Sequence, residues 1–337
     1  IVPGFVCMHA HGGGGHDFNE CTEEAFRSII DAHLAHGATS FYPTISSSPF
    51  DKLHQAAQVC ERLMAEPDSP VLGLHIEGPY LNRKMAGEQF ADQVKEIDEQ
   101  EYRELVESTR CIRRWDASPE LPGALEFASY LREKGILAAV SHTEAEYDGI
   151  RTAYEAGFTH AAHFYNAMPG FHKRREYKYE GTVESVYLTD GMTIELIADG
   201  IHLPSTILKL AYKLKGVEHT CLVTDALSCA ATEGKEINDP RYIIEDGVCK
   251  LADRSSLAGS IATMDVLVRT MVKAGIPLGD ALRMASETPA RIMGVYDRKG
   301  SLQKDKDADI LIMDKELNIR AVWQAGKLVQ ESFLNYK

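Results

Sequence analysis

Predicted strands and amphipathic helices alternate along the first 294 residues of the chain. Apolar residues recur at helical spacing over 22–36, and a β-rich run over 38–43 follows at once. The same succession predicts further helices at 48–64, 121–134, 144–156 and 205–214, and strands at 5–8, 71–76, 111–114, 136–140, 159–164, 192–198 and 219–223. Eight strands separated by helices or long loops are typical of a (β/α)8 TIM-like barrel, an α/β fold.

The pattern changes after Gly294. Three runs, 309–313, 319–323 and 327–330, resemble short antiparallel strands joined by turns. Strands of this kind need partners, which a segment preceding Ile1 could supply. We therefore predict two domains, the barrel over 1–294 and a small β-sandwich portion over 295–337.

Composition narrows the possible classes of function. The 337 residues include 36 basic and 50 acidic side chains, which give a net charge of −14. This charge argues against binding to nucleic acid or to anionic membranes, and no apolar run approaches the roughly 20 residues of a membrane-spanning helix. The seven cysteines are odd in number and form no CxxC pair, which favours free thiols in a cytoplasmic protein.

Potential metal ligands stand at the ends of five predicted strands. They are His9 with His11, Glu77, His142, His163 and Asp225. The carboxyl ends of barrel strands meet on one rim, so these side chains are expected to lie together. A single histidine or carboxylate at such a place is more often a packed or salt-bridged residue. Their coincidence at five strand ends favours a metal centre.

The residue types fit a divalent transition metal. His9 and His11 are two residues apart, so a strand places both imidazoles on one face. Glu77 ends an apolar strand just before Gly78, and its two carboxylate oxygens could bridge two ions. Nitrogen and carboxylate ligands suit Zn²⁺ or Fe²⁺. Asp225 could be a further ligand, or it could act as general base and acid beside the metal.

Longer motifs surround these residues. They are Pro3-Gly4-Phe5 before His9-Ala10-His11, His75-Ile76-Glu77-Gly78-Pro79, His163-Phe164-Tyr165-Asn166-Ala167-Met168-Pro169, Ala198-Asp199-Gly200-Ile201-His202, Val223-Thr224-Asp225-Ala226 and Leu257-Ala258-Gly259-Ser260. In this order and approximate spacing, the motifs resemble those of the amidohydrolase superfamily, and within it the enzymes that deacetylate sugar phosphates. The resemblance covers nearly the whole chain and implies a barrel of the metal-dependent hydrolase type.

The resemblance also implies roles for individual residues. The principal metal ion would be held by Glu77, His142 and His163, and His9 and His11 would allow a second ion. Asp225 would be the catalytic acid and base. The implied substrate contacts are Gly78, Gln89, Asn166, Ala167, Arg174, Arg175 and His202. Gln89 replaces a histidine that is common in the family, and either Arg174 or Arg175 would bind phosphate, often across a dimer interface.

The implied activity is metal-dependent deacetylation of N-acetylglucosamine 6-phosphate to glucosamine 6-phosphate and acetate, in amino-sugar catabolism. The resemblance further implies a homodimer with one or two zinc or iron ions per chain. An enzyme of the same fold acting on N-acetylgalactosamine 6-phosphate or another amide is an alternative, because the sequence does not reveal the orientation at the fourth carbon of the sugar. A non-catalytic scaffold is a further alternative, but such proteins usually lose ligands that are present here.

Overall fold

The computed structural model describes residues 1–87, 89, 92–232 and 239–331. Its central feature is a barrel of eight parallel strands, which confirms the predicted (β/α)8 fold. In chain order the strands are β1 (Phe5–Cys7), β2 (Ala38–Phe41), β3 (Leu74–Glu77), β4 (Ile112–Ala117), β5 (Leu137–Val140), β6 (Phe158–Ala161), β7 (Thr193–Ile197) and β8 (Thr220–Val223).

Hydrogen bonds join the segments that follow the first and last strands of the barrel. Strands β3 to β8 form one parallel sheet, which the short strand Thr44–Ile45 extends beyond β3, and β1 pairs with β2. Just beyond β8, the amide of Asp225 donates to the carbonyl of His9 at 3.0 Å, and the amide of His11 donates to the carbonyl of Ala226 at 2.9 Å. The residues that follow β1 and β8 therefore face each other on one rim.

Helices link the strands and cover the outside of the barrel. In α1 (Glu23–Leu34), the Thr22 side chain caps the helix by accepting a hydrogen bond from the Ala25 amide at 3.2 Å, and Phe26 and Ile29 are buried. The other helices are α2 (Phe50–Met64), α3 (Glu99–Ser108), α4 (Ala124–Glu133), α5 (Tyr147–Ala156), α6 (Thr182–Tyr187), α7 (Ser205–Lys215), α8 (Met264–Lys273), α9 (Leu278–Ala285) and α10 (Glu287–Ile292), with single 3₁₀ turns at Phe18–Glu20 and Arg83–Met85. None of the helices within the described ranges has the length and apolar character that crossing a membrane requires.

The barrel interior contains charged as well as apolar side chains. Val6 and Val223 belong to an apolar cluster between the strands. Arg114 and Asp116 of β4 and Glu195 of β7 are also completely buried. Buried charges require close partners, because their desolvation costs several kcal/mol per ion. Arg114 forms an ion pair with each of the two carboxylates, directly behind the candidate metal ligands.

The tail forms an antiparallel sheet with residues that precede the barrel. In spatial order its strands are Val2–Pro3, Ile310–Met313, Ile319–Gln324 and Lys327–Glu331. Val2 lies opposite Leu311, so the start of the chain supplies one partner for the predicted tail strands. The domain boundary after residue 294 stays a prediction. Three short hairpins were not predicted: Gly12–Gly13 with His16–Asp17, His172–Arg174 with Tyr177–Tyr179, and Tyr242–Glu245 with Val248–Leu251.

Candidate metal centre

Two neighbouring groups of potential ligands lie at the carboxyl ends of the barrel strands. Cluster A consists of Glu77, His142 and His163, which follow or end β3, β5 and β6. Cluster B consists of His9, His11 and Asp225, which follow β1 and β8. All six side chains are buried, and the ligand atoms within each cluster lie within 4.8 Å of one another. The structure thus brings together every residue that the sequence predicts as a metal ligand or catalytic acid.

The ligand atoms of cluster A converge on one point. Glu77 Oε1 lies 2.9 Å from His163 Nε2 and 3.2 Å from His142 Nε2, and these two nitrogens are 3.2 Å apart. The opposite ring nitrogen of each histidine is occupied. His142 Nδ1 donates to the carbonyl of Met85 at 2.7 Å, and His163 Nδ1 donates to the carbonyl of Asn166 at 3.2 Å. Both Nε2 atoms therefore point toward Glu77.

Cluster B repeats this geometry beside cluster A. His9 Nε2 and His11 Nε2 are 3.2 Å apart, and Asp225 Oδ1 lies 3.3 Å and 3.1 Å from them. His9 Nδ1 donates to Glu195 Oε1 at 2.6 Å, and His11 Nδ1 lies 2.9 Å from the Ser46 hydroxyl. As in cluster A, each imidazole is fixed through Nδ1 and leaves Nε2 for the cluster.

Glu77, a member of cluster A, also faces cluster B. While its Oε1 faces cluster A, its Oε2 lies 3.2 Å from His11 Nε2 of cluster B. The same oxygen accepts a hydrogen bond from the Gln89 side chain at 2.6 Å, and the Ser47 amide fixes the Gln89 carbonyl at 2.9 Å. The two oxygens of one carboxylate thus face different ligand sets, which is the arrangement that bridging two ions requires.

The donor atoms fit divalent cations. Two pairs of imidazole Nε2 atoms lie 3.2 Å apart, a separation at which their lone pairs repel unless a cation or a proton lies between them. Asp225 Oδ1 is buried and accepts no hydrogen bond from the described residues. Imidazole nitrogens fixed through their second nitrogen, together with carboxylate oxygens, are the ligands that Zn²⁺ and Fe²⁺ accept in proteins.

The backbone at three of these residues is left-handed. The φ angles are 46° at His142, 26° at His163 and 46° at Asp225. Non-glycine residues rarely adopt such angles, and they cluster at functional sites, where the surrounding structure maintains the strain. Gly78, next to Glu77, has φ 83°, and a Cβ atom there would lie 2.3 Å from the Ser47 hydroxyl. Glycine is therefore required at position 78 by space and by conformation.

Burial and the neighbouring charges shift the pKa values of the site. Burial alone would raise the pKa of Glu77 and of Asp225, but the surrounding histidines hold both below their usual values. Burial alone would lower the pKa of His163, but the Glu77 carboxylate raises it to about 9. Both carboxylates are therefore ionised at neutral pH, and His163 holds a proton that metal binding must release.

A cavity of about 240 Å³ opens beside the two clusters. Its wall includes Asn166, Ala167 and His202, as the sequence predicts for substrate contacts, together with Lys84, Met85 and residues 256–259, which were not predicted. His202 Nδ1 donates to Asp199 Oδ2 at 2.7 Å, and His202 Nε2 donates to the carbonyl of Ala258 at 2.8 Å. Burial would lower the pKa of His202, but Asp199 raises it above its usual value.

Four of the predicted substrate contacts lie away from the cavity wall. Arg174 and Arg175 are exposed on the hairpin His172–Arg174 with Tyr177–Tyr179, and Arg174 pairs with Glu146. Gln89 lies behind Glu77, and Gly78 lies beneath the Ser47 hydroxyl. Their roles toward a substrate stay predictions.

The sequence reading missed the buried side chains behind the ligands. Arg114, Asp116 and Glu195 belong to this set, with His75 and His160 beside them. The available signal was a charged residue at alternate positions within an apolar strand, as in Arg114-Trp115-Asp116. Only the assembled barrel reveals which side chains these residues contact, because the partners lie up to 186 positions apart in the chain, as with His9 and Glu195.

Comparison with known proteins identifies the family of the chain. The Amidohydrolase family model matches residues 1–329. The chain is 30% identical to an N-acetylglucosamine-6-phosphate deacetylase of Lysinibacillus sphaericus, over 97% of this chain and 85% of the relative. It is also 30% identical to an N-acetylgalactosamine-6-phosphate deacetylase of Escherichia coli O157:H7, over 97% of this chain and 87% of that relative.

The chain is also similar to a solved structure. A mutant of N-acetyl-D-glucosamine-6-phosphate deacetylase from Mycobacterium smegmatis, in complex with N-acetyl-D-glucosamine-6-phosphate, superposes with a TM-score of 0.88 at 30% identity. The match covers 97% of this chain and 86% of that chain. The barrel, the order of its ligand-bearing strands and these similarities lead to one conclusion: the chain belongs to the amidohydrolase family.

Proposed function

We propose that this protein hydrolyses the acetamide bond of N-acetylglucosamine 6-phosphate and releases glucosamine 6-phosphate and acetate. The observation that carries the proposal is the position of Glu77 between clusters A and B, at the wall of a cavity, in a member of the amidohydrolase family. Relatives of this chain that are similar over nearly its whole length bear the name of this activity.

Zinc or iron is the cofactor that we propose for the two clusters. Glu77, His142 and His163 would hold one ion, and His9 and His11, with the second oxygen of Glu77, would hold another. When bound, such an ion would polarise the acetyl carbonyl and lower the pKa of water at the site. The number of ions per chain is open to direct measurement.

Asp225 is the acid and base of the proposed reaction. Its carboxylate is buried and ionised, and it faces the cavity next to both clusters. In this state it takes a proton from the attacking water as the carbon–oxygen bond forms at the acetyl group. It then gives that proton to the amine nitrogen as the carbon–nitrogen bond breaks, because an unprotonated amine is a poor leaving group.

The remaining wall of the cavity would bind the sugar phosphate. His202 is held by Asp199 and Ala258, so its position is fixed before the substrate enters, and its raised pKa favours the cationic form. Asn166 and Ala167 lie on the loop after His163 and line the same cavity. We assign contacts with the sugar to His202 and contacts with the phosphate to Asn166 and Ala167.

The exposed arginines suggest a role in a homodimer. Arg174 and Arg175 lie on a hairpin that does not line the cavity of their own chain. We propose that one of them reaches the substrate phosphate of a second subunit. We also place the enzyme in the cytoplasm, since all seven cysteines are free thiols.

N-acetylgalactosamine 6-phosphate is a second candidate substrate. The N-acetylgalactosamine-6-phosphate deacetylase of Escherichia coli O157:H7 favours this candidate. It is as similar to this chain as the N-acetylglucosamine-6-phosphate deacetylase of Lysinibacillus sphaericus. The two sugars differ only at the fourth carbon. A non-catalytic scaffold is less well supported, because all six residues of the two clusters, Asp225 included, are present and buried.

The test is acetate release by the metal-reconstituted protein. N-acetylglucosamine 6-phosphate, its galactosamine epimer and unphosphorylated N-acetylglucosamine would be compared at equal concentration. We expect turnover of the first and little turnover of the unphosphorylated sugar. Faster turnover of the epimer would transfer the assignment to the second candidate. Absence of acetate release from all three, with metal content verified, would overturn the proposal.

A further inference from the structure

One buried carboxylate, Glu195, contacts both ligand clusters from inside the barrel. It lies on β7, is completely buried, and is not itself a member of cluster A or cluster B. Its Oε1 accepts a hydrogen bond from His9 Nδ1 at 2.6 Å and another from the backbone amide of His163 at 2.8 Å. A single oxygen atom therefore connects a ligand of cluster B with the strand end that carries a ligand of cluster A.

The contact with His9 determines which nitrogen of that imidazole can bind a metal ion. An ionised carboxylate accepts a hydrogen bond from Nδ1–H, so the proton of the neutral imidazole stays on Nδ1 and Nε2 keeps its lone pair. His9 Nε2 is the atom that faces His11 Nε2 at 3.2 Å and Asp225 Oδ1 at 3.3 Å. The tautomer that Glu195 favours is thus the one that cluster B requires.

Arg114 keeps Glu195 ionised and in place. Its guanidinium donates to Glu195 Oε2 at 2.5 Å and to Oε1 at 3.1 Å, and its other edge donates to both oxygens of Asp116 at 2.8 Å and 2.7 Å. Glu195 is therefore a charged and oriented acceptor.

Stability alone does not explain such a group. Replacing a buried ion pair by apolar residues of similar volume is often neutral or stabilising, because desolvation of the charges offsets their attraction. His160 Nε2, 3.2 Å from Glu195, and Cys221 also lie close enough for a metal site, but Arg114 already neutralises this carboxylate. Orientation of His9 is the role that fits all the contacts.

We propose that Glu195, held by Arg114, is the positioning residue that sets His9 for a divalent cation at cluster B. The inference rests on the proposed function only in requiring that cluster B binds an ion. Groups that hydrogen-bond to metal-binding histidines typically contribute about 10- to 100-fold to metal affinity. Loss of Glu195 should therefore weaken the ion at cluster B by about this factor and affect cluster A less.

The experiment compares two nearly isosteric variants of the buried network. Glu195→Gln removes the charge that faces His9, whereas Asp116→Asn removes the matching charge on the other edge of Arg114. Zinc stoichiometry and competition with a chelator are measured on each protein, without substrate, and circular dichroism verifies the fold. We expect two ions per chain in the unsubstituted protein and in Asp116→Asn, but one tightly bound ion in Glu195→Gln.

Equal zinc affinities in Glu195→Gln and the unsubstituted protein would overturn the proposal, and so would a single ion in the unsubstituted protein. A second measurement covers the case in which Glu195→Gln does not fold. In the zinc-loaded unsubstituted protein, ¹⁵N-histidine spectra should show His9 bound through Nε2 and protonated at Nδ1, with His9→Asn assigning the signal. Binding through Nδ1 would overturn the proposal. Neither measurement involves substrate, so a failed deacetylase assay leaves both outcomes intact.

Discussion

Clusters A and B contain similar ligands but are held in different ways. In cluster A, the two histidines donate Nδ1–H to backbone carbonyls, those of Met85 and Asn166, which lie on loops at the cavity. In cluster B, His9 donates instead to a side-chain carboxylate that is buried inside the barrel. Cluster A therefore depends on the conformation of surface loops, and cluster B depends on a charge network in the core.

The difference indicates how each cluster responds to change. The positions of the cluster A imidazoles depend on the backbone at Met85 and Asn166, so a change of loop conformation there would displace the ligands. The network behind cluster B consists of completely buried residues with several partners each, which resist movement. Glu77, which faces both clusters, connects the two parts of the site.

We expect the largest effect on metal affinity from a change of Glu77, which faces both clusters. Glu77→Gln removes the charge that faces both clusters while nearly keeping the shape of the side chain. We expect a loss of metal affinity above about 100-fold, because changing even a group behind a ligand costs about 10- to 100-fold. Metal analysis after dialysis measures this. The control is Glu245→Gln, which changes a glutamate that pairs with Arg254 instead of a candidate ligand. Full metal content in Glu77→Gln would refute the ligand assignment.

Asp225→Asn should lower the rate of turnover but leave the metal ion at cluster A bound. An amide cannot accept the proton of water, so turnover should fall by about 10²- to 10⁴-fold, the usual contribution of a general acid and base. The ion at cluster A should remain, since the Asp225 carboxylate faces His9 and His11 of its own cluster B. The two readouts are acetate release and zinc content. Turnover like that of the unsubstituted protein would remove Asp225 from the mechanism.

The stability of the folded protein should depend on pH through His33, a buried histidine that contacts the loop after His11. This buried histidine donates from Nε2 to the carbonyl of Gly12 at 2.9 Å, and burial lowers its pKa from 6.5 to about 4. Between these values the unfolded chain binds the proton and the folded protein does not, so stability falls as the pH falls from 6.5 to 4. The loss should be on the order of 3 kcal/mol.

Thermal unfolding at several pH values would measure the His33 effect. In His33→Gln the slope between pH 6.5 and pH 4 should be shallower than in the unsubstituted protein, while the two slopes should agree above pH 7. Identical slopes across the whole range would exclude His33 as the source.

The smallest expected effect concerns Gln89, which supports Glu77. Its side-chain amide donates to Glu77 Oε2 at 2.6 Å, so Gln89→Leu should weaken metal binding by about tenfold, near the lower limit for such contacts. Gln93→Leu, which changes a glutamine that pairs with Asp92 instead, should leave metal affinity unchanged. A purely substrate-binding role for Gln89 would instead change KM and leave zinc affinity intact.

The sequence by itself determined the barrel and the identity of its ligands. Strand period and helix period are local properties, so the eight strands and five of the ten described helices could be located from neighbouring residues. Glu77, His142, His163 and Asp225 were identifiable because each follows an apolar strand, and the ends of parallel strands meet on one rim. The tail strands were likewise visible, although their partner Val2–Pro3 was not.

Only the tertiary structure decided how the ligands are held and divided. The left-handed backbone at His142, His163 and Asp225 depends on contacts from several loops and has no local sequence signal for these residue types. The division into clusters A and B, the position of Gln89 behind Glu77, and the contact of Glu195 with His9 all join residues distant in the chain. Pairing of buried charges is set by which side chains the closed barrel brings within hydrogen-bonding distance, and that geometry exists only after folding.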